Sequence, residues 1–210
     1  MKRFQRHVLL TMMVCVSLAI AACGSGANAG SPTGKGGVNA PVPAATATTK
    51  PKPTALPKIT VAFCQGIMTV AQANQIMHPT IPATMIRVDS PASGGGSCNY
   101  EYATYRSVVT ITFEPYTGGP GNAQAVFAAA DKQLPQANNA TITVTKVTGV
   151  GDAAQFVTGV INVARLKMAA LQVIYGSIFL ACANYNVQGS SFSTQQTYLT
   201  QVCQQFVSQL

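Results

Sequence analysis

The chain has 210 residues, of which 48% are hydrophobic and only 9% are charged, and its net charge is +8. Most of that charge lies near the N-terminus, because residues 59–210 hold six basic and five acidic side chains, a net of +1. A nucleic-acid-binding domain concentrates basic side chains on one face. This composition excludes that class, and no nucleic acid is expected as a partner.

The N-terminus has the pattern of an export signal. Three basic residues within the first six precede an apolar run from Val8 to Ala22, which is typical of a secretory signal peptide and shorter than the roughly 20 residues of a spanning helix. Ile-Ala-Ala-Cys at 20–23 resembles the lipobox of bacterial lipoproteins, so we expect residues 1–22 to be removed and Cys23 to be lipidated. Secretion after cleavage at Ala29 and an uncleaved anchor are the alternatives.

Residues 23–58 are expected to be the lipidated cysteine and a flexible tether to a single domain at residues 59–210. The segment is rich in Gly, Ala, Pro, Thr and Ser, so it has too little apolar surface to offset chain ordering. Its lysines, Lys52 among them, are interpreted as solvated linker residues rather than as contacts to lipid headgroups. Two acyl chains on Cys23 suffice for membrane attachment, which predicts a location on the extracytoplasmic face of the cell membrane.

Three helices are predicted in the domain. The first follows Cys64 and contains Thr69 and Gln72 at the spacing of a capping box. The second begins after Asn122 as its N-cap and is expected to stop at Pro135, because proline lacks a backbone N–H. The apolar stripe of this second helix comprises Ala123, Val126, Phe127, Ala130 and Leu134.

The third predicted helix is C-terminal. Ser193 and Gln196 have the spacing of a second capping box. Apolar residues then recur at helical spacing, which predicts that this face packs on the core. The stripe comprises Leu199, Val202, Cys203, Phe206 and Leu210.

Six segments have the alternating or continuously apolar pattern of strands: 85–88, 98–102, 109–113, 141–145, 168–175 and 178–185. Gly176-Ser177 has the sequence of a two-residue hairpin turn with glycine first. The two strands beside it are apolar on both faces and are expected near the centre of the sheet. The order helix, strands, helix, strands, helix predicts an α+β fold with three helices packed mainly on one face of an antiparallel sheet.

Cysteine usage is consistent with export. One cysteine leaves with the signal peptide and Cys23 carries the lipid, which leaves four in an oxidising compartment and favours two disulfides. Four cysteines allow three pairings. We favour Cys64–Cys98 and Cys182–Cys203, because each joins a predicted helix to a predicted strand nearby in sequence. A zinc site is not expected, since the sequence contains no Cys-x-x-Cys.

The lipobox, the tether and the sequence Cys-Gln-Gly-Ile-Met-Thr-Val-Ala-Gln-Ala-Asn-Gln-Ile-Met from Cys64 resemble a broad family of small actinobacterial-type lipoproteins of unknown function. In that family a cysteine opens a short helix and a second cysteine, here Cys98, begins a strand. Gly-Val-Gly-Asp-Ala-Ala at 149–154 resembles the family's turn before the last strands. The family often has a tryptophan near the second cysteine, and this chain has none. The resemblance covers most of residues 62–210 and implies a fold and a surface location, but no activity and no functional residues.

No group of side chains predicts catalysis, and no cofactor is expected. His78 is the only histidine after the signal peptide, and it lacks the nucleophile and orienting acid of a catalytic triad. Glu101 and Glu114, on separate predicted strands, are the candidates for a glycosidase-type carboxylate pair. Residues 149–152 are interpreted as a turn, since the motif is too short for a phosphate-binding loop.

Four tyrosines, at positions 100, 102, 105 and 116, cluster around one predicted hairpin. We favour the interpretation that they fill the edge of the core, although tyrosine rings also bind sugars and peptides through their flat faces. The scarcity of charged residues favours a non-enzymatic module that binds a small apolar ligand, a peptide or an envelope protein. An envelope hydrolase, whose acids or His78 must converge in a cleft, and a purely structural envelope protein are the alternatives.

Overall fold

The computed structural model describes residues 52–90, 94–118, 122–138, 140–161, 166–187 and 189–210. Cys23, the signal peptide and most of the tether therefore lie outside the described residues. The strands are β1 Met85–Asp89, β2 Gly96–Ala103, β3 Arg106–Pro115, β4 Ala140–Val147, β5 Ala153–Ile161, β6 Leu166–Tyr175 and β7 Ile178–Asn184. The helices are α1 Val61–Ile67, α2 Val70–Met77, α3 Ala123–Asn138 and α4 Phe192–Gln209.

The seven strands form one antiparallel sheet in the order β1-β2-β3-β7-β6-β5-β4. Two sets of consecutive strands, β1–β3 and β4–β7, are joined where β3 pairs with β7. This places β7 in the middle of the sheet with β6 beside it, as their apolar sequences predicted. Gly176 has a positive φ of 59° in the turn between them, which is the conformation that favours glycine at the first turn position.

Strand β5 was missed by the sequence analysis. Its residues do not alternate between polar and apolar, because both of its faces are covered. Phe156 packs in the main core on one face, whereas Ala153 packs with the cluster around α3 on the other.

The helices divide between the two faces of the sheet. Helices α1, α2 and α4 pack with the main core on what we call the three-helix face. Helix α3 packs on the opposite face, where Phe127 lies 6.5 Å from the ring of Phe179. We call this the α3 face.

The prediction of three helices is wrong, because the first predicted helix is two short helices. Met68 and Thr69 have extended backbones between α1 and α2. The capping box of Thr69 and Gln72 is present, and it ends one helix and begins the next. Helix α1 has its own cap, in which the Thr60 hydroxyl accepts from the Phe63 N–H at 3.1 Å.

Two helix boundaries also differ from expectation. Helix α3 continues past Pro135 to Asn138, since a proline near the C-terminal end removes only one backbone hydrogen bond. The side chain of Leu134 lies outside the described residues. Helix α4 is capped by Ser191, which accepts from the Thr194 N–H at 3.1 Å, and not by Ser193.

The main core lies between the sheet and the three helices, and two disulfides cross it. Cys64–Cys98 joins α1 to β2 and Cys182–Cys203 joins β7 to α4, with Cα–Cα distances of 5.8 and 6.0 Å. This is the pairing favoured from the sequence. The C-terminal stripe is also confirmed, since Leu199, Val202, Cys203 and Phe206 are fully buried and Leu210 packs against them.

Removing the first disulfide tests its contribution to stability. The two cysteines lie 34 residues apart, and closing a loop of that length stabilises a fold by about 4 kcal/mol in the chain-entropy model. We expect the Cys64→Ala/Cys98→Ala variant to lose about that much free energy of unfolding in urea titration. Reduction of the Cys182→Ala/Cys203→Ala variant, which holds only the first disulfide, is the control, and a Cys64→Ala/Cys98→Ala variant as stable as the oxidised wild type would contradict the prediction.

Candidate functional site

A cluster of charged side chains lies on the α3 face at β1 and β2, away from the described packing of α3. Arg87 Nε donates to Glu101 Oε1 at 2.9 Å, and Arg87 also forms an ion pair with Asp89. The Glu101 side chain is completely buried, and that of Arg87 is 26% exposed. Burial lowers the pKa of Arg87, but hydrogen bonds to Asp89 and Glu101 raise it above its ordinary value, so the guanidinium stays charged.

The neighbouring polar groups are also paired, as buried polar groups generally are. Asn99 Nδ2 donates to Ser97 Oγ at 2.9 Å and to Asp89 Oδ2 at 3.1 Å. Thr110 Oγ1 donates to Asn99 Oδ1 at 3.0 Å. The cluster is therefore one hydrogen-bonded network across β1, β2 and β3.

This network holds an exposed tyrosine in an unusual conformation. Tyr105 lies in the two-residue turn between β2 and β3 with φ of 61°, a position that favours glycine and costs another residue about 1 kcal/mol or more. Its backbone N–H donates to Glu101 Oε2 at 3.3 Å. The Arg87 guanidinium lies 4.7 Å from the centre of its ring, and the residue is 59% exposed.

Other exposed apolar side chains lie at the same end of the sheet. Met85 is 44% exposed; it opposes Glu101 in the β1–β2 register and projects from the same face as Arg87. Ile81, 55% exposed, lies in the loop leading into β1. We call Ile81, Met85, Arg87 and Tyr105 the Tyr105 surface.

The tether contacts the opposite end of the sheet. Lys52 forms an ion pair with Asp152, and the Pro53 carbonyl accepts from Ser177 N and Oγ at 3.1 and 3.0 Å. Lys52 lies in the expected tether, and its side chain is 55% exposed while it forms this ion pair at the surface of the domain. The ten residues of β3 separate this end from Tyr105, about 30 Å at the rise of an antiparallel strand.

Asp152 connects the tether to the turn that the sequence predicted at 149–152. Its second carboxylate oxygen accepts from the Gly176 N–H at 2.9 Å. Burial raises the pKa of Asp152, but the hydrogen bonds from Lys52 and Gly176 and the charge of Lys52 outweigh it and lower the pKa overall.

The candidate catalytic acids do not converge. Glu101 opposes Ser107 on β3, seven residues before Glu114, which separates the two glutamates by about 24 Å along the strand. Glycosidase carboxylates lie about 5 to 10 Å apart. Burial raises the pKa of Glu114, and burial together with the Glu114 charge raises the pKa of Tyr185.

His78 is placed on the three-helix side. It caps the C-terminus of α2, with its ring 5.5 Å from that of Tyr198 on α4. The open groove beside it, about 390 Å³, contains no acidic residue among its lining residues Gln72, Gln75, Ile76, Gln201 and Gln205. No group of three His, Cys, Asp or Glu side chains that could hold a metal occurs in the described ranges.

The four hairpin tyrosines have different environments. Tyr100 and Tyr116 are buried, which fits the core-filling interpretation, and Tyr102 is partly buried against the core. The Tyr100 hydroxyl lies 2.6 Å from the Met68 carbonyl and 3.1 Å from that of Cys64, and so covers the C-terminal end of α1. Tyr105 is the exception, since it is exposed.

A second groove lies at the tether end, with a volume of about 630 Å³. Leu56, Pro57 and Ile59 of the incoming chain line it, together with Pro115 and Tyr116.

No protein-family model matches the chain, and no curated protein or solved structure is detectably similar to it. None of the helices in the described part of the chain is long and apolar enough to cross a membrane.

Arg87 was not among the candidate residues predicted from the sequence. Arg87, Asn99 and Glu101 occupy the polar positions of the strands predicted at 85–88 and 98–102, whereas Asp89 lies one residue beyond the first of them. Their pairing depends on the register between β1 and β2, which alternation within each strand does not specify.

The contribution of the buried Glu101 carboxylate to stability can be tested with the substitution Glu101→Gln. The change removes the charge that faces Arg87 and the acceptor of one hydrogen bond, so we expect the free energy of unfolding to fall by about 2 kcal/mol. Denaturant titration at pH 7 measures this loss. The Tyr105 amide resonance in an NMR spectrum should shift as well, because its acceptor is altered.

Glu114→Gln is the matched control, and its effect on the free energy of unfolding should have the opposite sign to that of Glu101→Gln. Because burial raises the pKa of Glu114, its contribution to stability is full below its unfolded pKa and is lost as pH rises through the folded pKa. The neutral glutamine should therefore be at least as stable as the wild type at pH 7 and should flatten the fall in stability above about pH 4.5. Equal losses in both variants would show that the Arg87 pairing of Glu101 has no special importance.

Proposed function

We propose that this protein is an exported lipoprotein, held at the membrane through Cys23, whose domain binds a partner protein of the cell envelope through the Tyr105 surface. The observation that carries the proposal is the exposed Tyr105 ring, held in a left-handed conformation by a completely buried carboxylate. Backbone strain of this kind persists where the surrounding structure determines it, and it clusters at functional sites.

The residue types favour a protein as the partner. Tyrosine, methionine and arginine are enriched at the centres of protein interfaces, and tyrosine and arginine carry a large share of measured binding energy. Tyr105, Met85 and Arg87 combine these types in one place. Because Arg87 and Glu101 already hold the tyrosine, little conformational entropy is lost when a partner binds.

The position of the tether also supports partner binding through the Tyr105 surface. The chain enters the domain at Lys52 and Pro53, about 30 Å from Tyr105, so the Tyr105 surface is at the end remote from the attachment. The lipobox at 20–23 and the resemblance to actinobacterial-type lipoproteins support an anchored protein. The separation of Glu101 and Glu114 argues against the hydrolase alternative.

A small apolar ligand is the second candidate. The groove at the tether end has the volume of a typical ligand site, roughly 300 to 1,000 Å³, and apolar side chains line it. A bound molecule would appear as extra mass in the native protein that is lost on denaturation.

The anchor is tested by the intact mass of the protein extracted from its own host in detergent. We expect a polypeptide that begins at Cys23 and carries diacylglycerol, and we expect Cys23→Ala to abolish the added mass and release the protein from membranes. A chain that begins at Gly30 without lipid would overturn this part of the proposal.

Partner binding is tested by photo-crosslinking in the host. A photoreactive phenylalanine analogue at position 105 should crosslink to one envelope protein, and the additional substitution Met85→Ala should weaken that crosslink several-fold. The matched control carries the analogue at Val61, which is 47% exposed on α1. If positions 105 and 61 give the same products, the Tyr105 surface is not the binding site.

A further inference from the structure

Strand β4 is an outer strand of the sheet. It pairs with β5 over all eight of its residues, from Ala140 with Ile161 to Val147 with Ala154, with no break in register. No other described segment pairs with its outer side. Alternate N–H and C=O groups of an antiparallel strand point to that side, so β4 presents a regular row of donors and acceptors that can take another strand.

The opposite outer strand is protected in ways that β4 is not. Strand β1 has only five residues, and two of them are the charged pair Arg87 and Asp89. Short edges and charges are usual means of preventing edge-to-edge pairing. Strand β4 contains no proline and one charge, Lys146.

The side chains of β4 match those of a second β4. Antiparallel pairing centred on Thr143 sets Thr141 opposite Thr145 and Ile142 opposite Val144 of the other copy. Every such pair joins residues of the same parity, so each face of the sheet continues into the same face of its partner. Threonine pairs and pairs of β-branched residues stabilise neighbouring strands.

The exposed residues and charges of β4 also fit this arrangement. The three threonines are exposed, and Val144 is one of the six large hydrophobic residues exposed in the described part of the chain. Lys146 falls opposite Ala140 of the other copy, so no two lysines face each other.

We propose that two copies of this chain associate through β4, antiparallel about a two-fold axis at Thr143, and form one continuous sheet of fourteen strands. The contact is self-complementary, as a two-fold interface requires. It uses a different edge of the domain from the Tyr105 surface and does not depend on the proposed partner.

The test is native mass spectrometry of the exported full-length protein in detergent, with the number of chains counted over a range of concentrations. The wild type should contain two chains. Thr143→Lys sets two like charges opposite each other on the axis, which destabilises paired strands, and should be a single chain at concentrations where the wild type is a dimer. Val61→Lys adds the same charge on α1 and should stay dimeric.

A charge exchange identifies the register. Thr143→Glu alone should also be a single chain, whereas a mixture of the lysine and glutamate variants should form a dimer that contains one of each. Recovery in the mixture excludes misfolding as the reason for dissociation. A monomeric wild type, a dimeric lysine variant, or no dimer in the mixture of folded variants would overturn the proposal. An extended peptide on β4 in place of a second copy is the alternative that a monomeric wild type would indicate.

Discussion

The pairing of β3 with β7 is the contact on which the rest of the molecule depends. It joins residues 110–115 to residues 178–183, far apart in sequence, and makes one sheet from two sets of strands. Its register places Cys98, Ile111, Cys182 and Leu171 in one row across four strands. Both disulfides extend from this row, so α1 and α4 are attached at the same level of the three-helix face.

The charged network on the other face depends on the same sheet. Glu101 is completely buried, and a buried ion pair contributes little net stability because both charges lose their hydration. What the pair provides is position, since one carboxylate contacts both the arginine below the Tyr105 ring and the backbone N–H of the tyrosine. The network costs desolvation energy and holds an exposed ring, and this is the basis of the proposed binding role.

Local sequence signals predicted the features that depend on neighbouring residues. The capping box at Thr69, the glycine turn at Gly176 and the stripe of α4 belong to this group, and the disulfide pairing followed from their placement. The break between α1 and α2 was missed because the capping box was assigned to the interior of one helix. Strand β5 was missed because its burial on two faces removes the alternation. The Tyr105 surface could not be derived, because it requires the registers of three strands and the bulges of β2.

The contacts of the incoming chain have a mechanical consequence. Tension on the N-terminal segment first meets the noncovalent bonds of Lys52 and Pro53, and twelve residues further along it meets the covalent bond between Cys64 and Cys98. The twelve residues between the two attachment points have a contour length of roughly 40 Å, so the extension gained is that length less the distance the segment already spans. The load then passes through the disulfide into β2, a strand bonded on both sides. The noncovalent contacts therefore break before the disulfide carries the load, and the N-terminal segment can lengthen while the sheet stays folded.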